Sequence, residues 1–187
     1  KTMANVLFIG ETYLKENSNI DENVDVKEII PSIADAQEMH LLPTLGSALY
    51  EDLKTKVDAG TTNAAEDTLI SDYIAPMLVK FVQMELSTDL LYKYRDKGVM
   101  KKSSENSSAA SYTDMRYLMD RWDNKAQFYK QRLVDYLCGN TATFPAYLQS
   151  PNSWDVLPDT NAFTNPFYLG TESWEEKKER QKLRGSL

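Results

Sequence analysis

A chain of 187 residues with a formal net charge of −7 fits one domain with an added arm, and a domain of that size buries roughly 70% of its unfolded surface without needing staples. Its single cysteine, Cys138, excludes an internal disulfide and fits a protein made in a reducing compartment. The acidic balance argues against a surface for duplex DNA, which needs clustered Lys and Arg, but it is compatible with the wall of a conduit that must not hold phosphate.

Residues 1–24 read as an entry segment. The apolar run Val6–Ile9 is too short for a signal core or a membrane span, and no signal peptide is legible. Gly10-Glu11-Thr12 and the Asn/Asp-rich stretch 17–25 carry turn and cap chemistry, with a short helical turn through Tyr13 and Leu14. A first long helix is predicted over about 25–41. Asp25 followed by Glu28 resembles a capping box, and Val26, Ile29, Ile30, Ile33 and Leu41 share one face. Pro31 means that the helix either starts there or bends there.

Leu42-Pro43-Thr44-Leu45-Gly46 reads as a corner into a second helix over about 45–57, with Leu45, Leu49, Leu53 and Val57 in register. Residues 58–65 form a loop. A third helix over about 65–94 carries an apolar stripe broad enough to pack on more than one side, and Pro76 predicts a kink near 72–76. Residues 96–111 hold five serines and no aromatics, which suits either a floppy surface loop or a protruding one that orders on a partner. The fourth helix has the strongest pattern: Met115, Leu118, Trp122, Ala126, Tyr129, Leu133 and Leu137 hold one face, and Gly139 ends it.

Beyond Gly139 the composition changes. Four prolines interleave with Phe144, Tyr147, Trp154, Phe163, Phe167 and Tyr168, and Trp174 opens a short terminal helix over 171–184. Prolines forbid regular structure, yet aromatics at this density do not suit a solvated tail. The expected fold is therefore all-α, a bundle of about four helices over 1–140 with a long polar insert before the last one, and an extended aromatic and Pro-rich C-terminal arm over 141–187. The apolar faces of the four helices can satisfy one another, so the arm aromatics are expected to bind other chains.

Few residues point to chemistry. There is one His and one Cys, which excludes zinc sites built on His and Cys clusters, and a buried structural thiol is the expected role of Cys138. No Gly-rich phosphate loop, nucleophile elbow or EF-hand loop is present. The pairs Asp35/Glu38, Glu51/Asp52, Glu66/Asp67 and Glu175/Glu176 fall at solvated helical positions. No catalytic residue, cofactor or metal site is expected. Gln37 and His40 lie on the apolar face beside the Leu45-Gly46 corner, where a buried polar group needs a partner. They are expected either to bond the free backbone groups of that corner or to contact another subunit.

The stretch IPSIADAQEMHLLPTLGSALYEDL, residues 30–53, resembles the opening helix pair of head–tail adaptor, or head-completion, proteins of tailed bacteriophages. Ile33, Ala36, Gln37, Leu45, Gly46, Leu49 and Tyr50 carry the resemblance. The approach at 11–29 is similar to versions from phages of gut Bacteroidales, including crAss-like phages, and the likeness extends over residues 5–140. It implies a helical structural protein of the virion, made in the host bacterial cytoplasm. Such a subunit sits in a connector ring, commonly of twelve copies, that surrounds the DNA channel and joins the portal protein to tail or neck proteins. It implies no enzymatic activity, no sequence-specific nucleic acid and no membrane. Two other readings stay open: another neck component, such as a stopper or tail-completion protein, and an unrelated helical protein-binding module.

Overall fold

The computed structural model describes residues 6–95, 98–101, 112–148, 156–158 and 160. The body is an all-α bundle. Helix α1, Glu11–Glu16, drops Leu14 into the core and hands the chain to α2, Val26–Ala36. Asp25 caps α2, its carboxylate accepting from the Lys27 N–H at 3.0 Å. The helix neither starts nor stops at Pro31 but runs through it. Pro31 is exposed, and so is Lys27, the residue four back whose carbonyl would have taken the missing N–H.

A π-helical turn, Gln37–Leu41, leads into α3, Leu42–Ala59. The corner predicted over 42–46 narrows to one residue: Gly46, at φ 73° and ψ 155°, breaks α3 while both flanks stay helical. Gly60 ends α3 at φ 64°, and Thr61 N–H reaches back to the Lys56 carbonyl at 2.9 Å. Helix α4, Ala64–Thr68, starts from a capping box between Asn63 and Glu66. Glu66 is buried and also takes Lys56 Nζ at 2.7 Å, which corrects the solvated position expected for it.

A second π-helical turn, Leu69–Ile74, precedes α5, Ala75–Leu91. The irregularity expected near Pro76 takes this form. The proline leaves the Asp72 carbonyl without its helical donor, and Arg132 supplies one from the last long helix at 3.2 Å while its guanidinium lies 4.6 Å from the centre of the Tyr73 ring. Arg132→Ala is expected to lower stability by about 0.5–1.5 kcal/mol, the range of one exposed hydrogen bond, read as a lower urea midpoint. Leu→Ala-sized losses there would mean a larger role than this bond.

Helix α5 packs against both α2 and the last long helix, α6, Tyr112–Gly139. Its buried residues run consecutively, Met77-Leu78-Val79 and Phe81-Val82-Gln83, as a helix covered all round requires. The third helix was expected to reach Tyr94 and to open into a structureless insert. Instead α5 ends at Leu91, and an antiparallel hairpin follows, β1 Tyr92–Arg95 with β2 Gly98–Lys101, in the register Tyr92↔Lys101 to Arg95↔Gly98. Tyr92 and Tyr94 alternate with Lys93 and Arg95 at the period of a strand, and only two residues separate the strands, as in a tight hairpin. The remainder of the insert lies outside the described residues.

The predicted face of α6 buries Ala126, Leu133 and Leu137, with Val134 beside them. Leu118, expected in that face, is instead exposed, and Trp122 is half-buried, because the first turns of α6 reach past the core. After Gly139 the chain folds back through a 3-10 turn, Pro145–Leu148, that packs on α3. Phe144 and Tyr147 are buried in the common core. This corrects their expected role as partner-binding side chains: they fill their own domain, and the packing does not end at residue 140. Of the other arm residues singled out from the sequence, Trp154, Phe163, Phe167, Tyr168 and Trp174 lie outside the described residues.

Candidate functional site

The residues singled out around the corner come together where the entry segment, the first π turn, α3 and α5 meet. The π turn widens the helix between α2 and α3, with the Leu42 N–H closing on the Gln37 carbonyl, and Gln37 is directed into the core. Its side chain is fully used. Oε1 accepts from the Phe8 N–H at 2.8 Å and Nε2 donates to the Val6 carbonyl at 3.1 Å. Gln37 therefore pairs like a strand with the entry segment and does not bond the corner backbone, as the sequence had suggested. This bridge holds Phe8 against Tyr50, whose rings are 5.7 Å apart.

His40 is half-buried and lies flat on Phe81 of α5, ring centroids 3.9 Å apart and planes 8° from parallel. Its Nε2 meets Glu85 Oε1 at 3.1 Å. Its backbone carbonyl, where the π turn passes into α3, accepts from the buried Thr44 hydroxyl at 2.6 Å. Tyr50, also buried, donates its hydroxyl to Glu38 Oε1 at 3.0 Å, and burial first, then that carboxylate, pushes its ionisation well above the ordinary range of a phenol.

At the corner itself Leu45 is buried and Gly46 lies under Pro158, so close that a Cβ on Gly46 would fall 2.6 Å from the proline Cδ. Breaking α3 at Gly46 also frees the N–H of Ser47. That N–H donates to the Val156 carbonyl at 3.0 Å, and the Ser47 hydroxyl accepts from the Val156 N–H at 3.2 Å. Residues 156–158 thus clasp the corner of their own chain. The sequence offers Thr44 or Ser47 as a cap of the second helix, but Thr44 bonds back to the His40 carbonyl and Ser47 bonds Val156, and sequence reasoning missed Val156 and Pro158 altogether. Only Gly46 carried a signal that something must approach closely.

The arrangement is a structural joint. Every polar side chain in it is engaged with backbone or with a neighbouring side chain, and no group of three or more His, Cys, Asp and Glu able to hold a metal occurs among the described residues. Cys138 is exposed at the end of α6, which corrects its expected burial. No helix among the described residues is long and apolar enough to cross a membrane. Gln37→Leu is expected to cost about 1–3 kcal/mol, because it leaves the buried Phe8 N–H unpaired while the half-buried Val6 carbonyl can turn to water. Faster amide exchange at Phe8, with α6 unaffected, is the accompanying sign.

Residues 41–155, more than half of the chain, match the model of a family of unknown function, DUF6712. The match runs from the end of the first π turn through the corner and past Tyr147. No curated protein and no solved structure matches the chain.

Proposed function

We propose that this chain, which belongs to the DUF6712 family, is a structural subunit of a phage head-to-tail connector, docking on the portal and joining it to the tail around the DNA channel. One observation carries the reading. The seven residues that resemble the adaptor pattern, Ile33, Ala36, Gln37, Leu45, Gly46, Leu49 and Tyr50, are all buried, and they frame one joint between helices. A shared set of that kind specifies a fold rather than a reaction, as expected of proteins that act by shape. The acidic balance suits a wall along which DNA slides.

The test is co-expression with the portal protein of the same genome, followed by native mass measurement. A complex holding several copies of this chain per portal ring supports the role. Failure to associate, with both proteins folded, rules out a portal-bound adaptor.

A further inference from the structure

Positive charge is concentrated in one stretch of this acidic chain. Residues 92–132 carry 10 basic and 5 acidic side chains, a net +5, whereas the rest of the chain carries 11 and 23, a net −12, which together make the −7 of the whole. The fold gathers that stretch at one end of a helix pair. Tyr73, just before α5, stacks on Tyr136, and Lys80 of α5 reaches Trp122, so α5 and α6 run antiparallel. The end of α5 from which the hairpin springs therefore lies beside the first turns of α6. The sequence 92–102 alone holds five basic residues and one acidic, and β1 alternates Tyr92 and Tyr94 with Lys93 and Arg95.

One flank of α6 continues this mixture of rings and cations. Tyr117 is 68% and Phe128 66% exposed, and at 1.5 Å per residue they stand about 16 Å apart along the helix. The exposed Arg121 lies between them, with Lys125 one turn further on. Phe128 is braced at 81° against Tyr129, ring centres 5.5 Å apart. Trp122, half-buried, has two ammonium groups near its ring centre, Lys125 Nζ at 4.4 Å and Lys80 Nζ of α5 at 5.4 Å. Burial, and then repulsion from Lys125, lowers the Lys80 ammonium below its ordinary value. None of Lys80, Arg121 and Lys125 belongs to an ion pair among the described residues. Carboxylates border this flank without entering it. Asp114 and Asp135 stand beyond its two ends, and Asp135 already accepts from Gln131 Nε2 at 2.7 Å. By helical position Asp120 and Asp123 lie about 120° and about 180° around from its centre.

We propose that this flank of α6 binds single-stranded DNA, with Tyr117 and Phe128 as platforms for unpaired bases and Arg121, Lys125 and Lys80 neutralising phosphates. Exposed rings set among cations match the two aspects of a single strand: bases stack on the rings with little regard to sequence, and the backbone meets the charge. A duplex hides the faces of its bases and would leave both rings unused. Rings and cations serve either kind of strand, so the flank requires no 2′-hydroxyl. An acidic protein segment would also meet the cations, but an aromatic, a cation and a second aromatic in succession along one helix repeat as base and phosphate repeat along a strand. The inference goes beyond the connector reading, which asks only that duplex DNA slide past without being held, and it does not depend on that reading.

The test is fluorescence anisotropy of a labelled oligothymidylate of about 20 nucleotides titrated with the full chain. Binding is expected at low salt and weakens as salt rises, by about 0.7 in the logarithmic slope for each phosphate neutralised. Arg121→Gln/Lys125→Gln is expected to flatten that slope by about 1.4. Tyr117→Ala/Phe128→Ala is expected to keep the slope and to weaken binding by over about tenfold, whereas Tyr117→Trp/Phe128→Trp, which keeps a ring at each site, binds like wild type. All four positions are exposed or half-buried, and unchanged circular dichroism confirms that the variants fold. A duplex of the same length is expected to bind over about tenfold more weakly, and an oligouridylate comparably. No binding at low salt overturns the proposal. So does a duplex bound within about tenfold, an oligouridylate bound over about tenfold more tightly, or binding that ignores the loss of both rings. Displacement of the strand by polyglutamate at equal charge would make the flank a docking surface for an acidic protein and overturns it too. Portal association is measured separately, so neither result decides the connector role.

Discussion

Tyr147→Ala is expected to lower the stability of the isolated chain by about 3–5 kcal/mol, the cost of emptying a large aromatic site in a packed core. Tyr147 has no exposed surface, and the 3-10 turn that carries it packs on α3. Phe144, 3% exposed, joins the same cluster through Tyr136, whose ring stacks on Tyr73 at 4.0 Å. A domain of this size has only about 5–15 kcal/mol of net stability, so one such loss removes a large part of it. Urea unfolding should show a lower midpoint with an unchanged slope. A chain ending at Asn140 lacks both aromatics and is expected to be no more stable than Tyr147→Ala, whereas one ending at Leu148 keeps them and folds. Equal stability for the chains ending at 140 and at 148 would return Phe144 and Tyr147 to the role of partner contacts.

Gly46→Ala is expected to cost about 2–4 kcal/mol, made of two separable parts. The backbone at φ 73° and ψ 155° lies in a region essentially reserved for glycine, and forcing a side chain into it costs about 1–3 kcal/mol. The added methyl would also press on Pro158, 2.6 Å from its Cδ and 2.9 Å from its nitrogen. Neither atom is the end of a flexible side chain, so residues 156–158 must lift off and release the Ser47 N–H. In a chain ending at Leu148 the second part vanishes and the strain alone remains. The same loss measured in both chains would mean that the contact with Pro158 contributes nothing to folding.

The helices were legible where burial follows a helical period, as at Ala126, Leu133 and Leu137 of α6, or where capping residues stand in place, as Asp25 does. The bundle class and the burial of Gln37 and Leu45 followed from the same pattern. What the sequence hid was long-range. Gln37 bonds Phe8 and Val6, residues 29 and 31 positions earlier, and Ser47 bonds Val156, 109 positions later. No local spacing marks such partners. Phe144 and Tyr147 were misplaced because proline-rich surroundings were read as belonging outside the core, although a 3-10 turn suffices to bury two aromatics. The hairpin was missed for a different reason: Tyr92 and Tyr94 also fit the end of the helical stripe on α5, and period two competes poorly with period 3.6 over four residues.

Both π turns end two residues before a proline, Pro43 after Leu41 and Pro76 after Ile74. A turn that closes five residues back holds one residue more than its α-helical counterpart, so the side chains before and after it are out of phase by about 100°. The phase shift is what lets the chain face two directions, with Gln37 turned to the entry segment and the helix beyond it, broken at Gly46, turned to the 3-10 turn. Removing a single residue from Gln37–Leu41 would therefore act like turning a key: the chain would stay helical, but every residue of α2 would rotate away from its present neighbour. Length at these two sites is fixed more tightly than residue identity, and a shortened chain is expected to misalign the joint even where each remaining residue is unchanged.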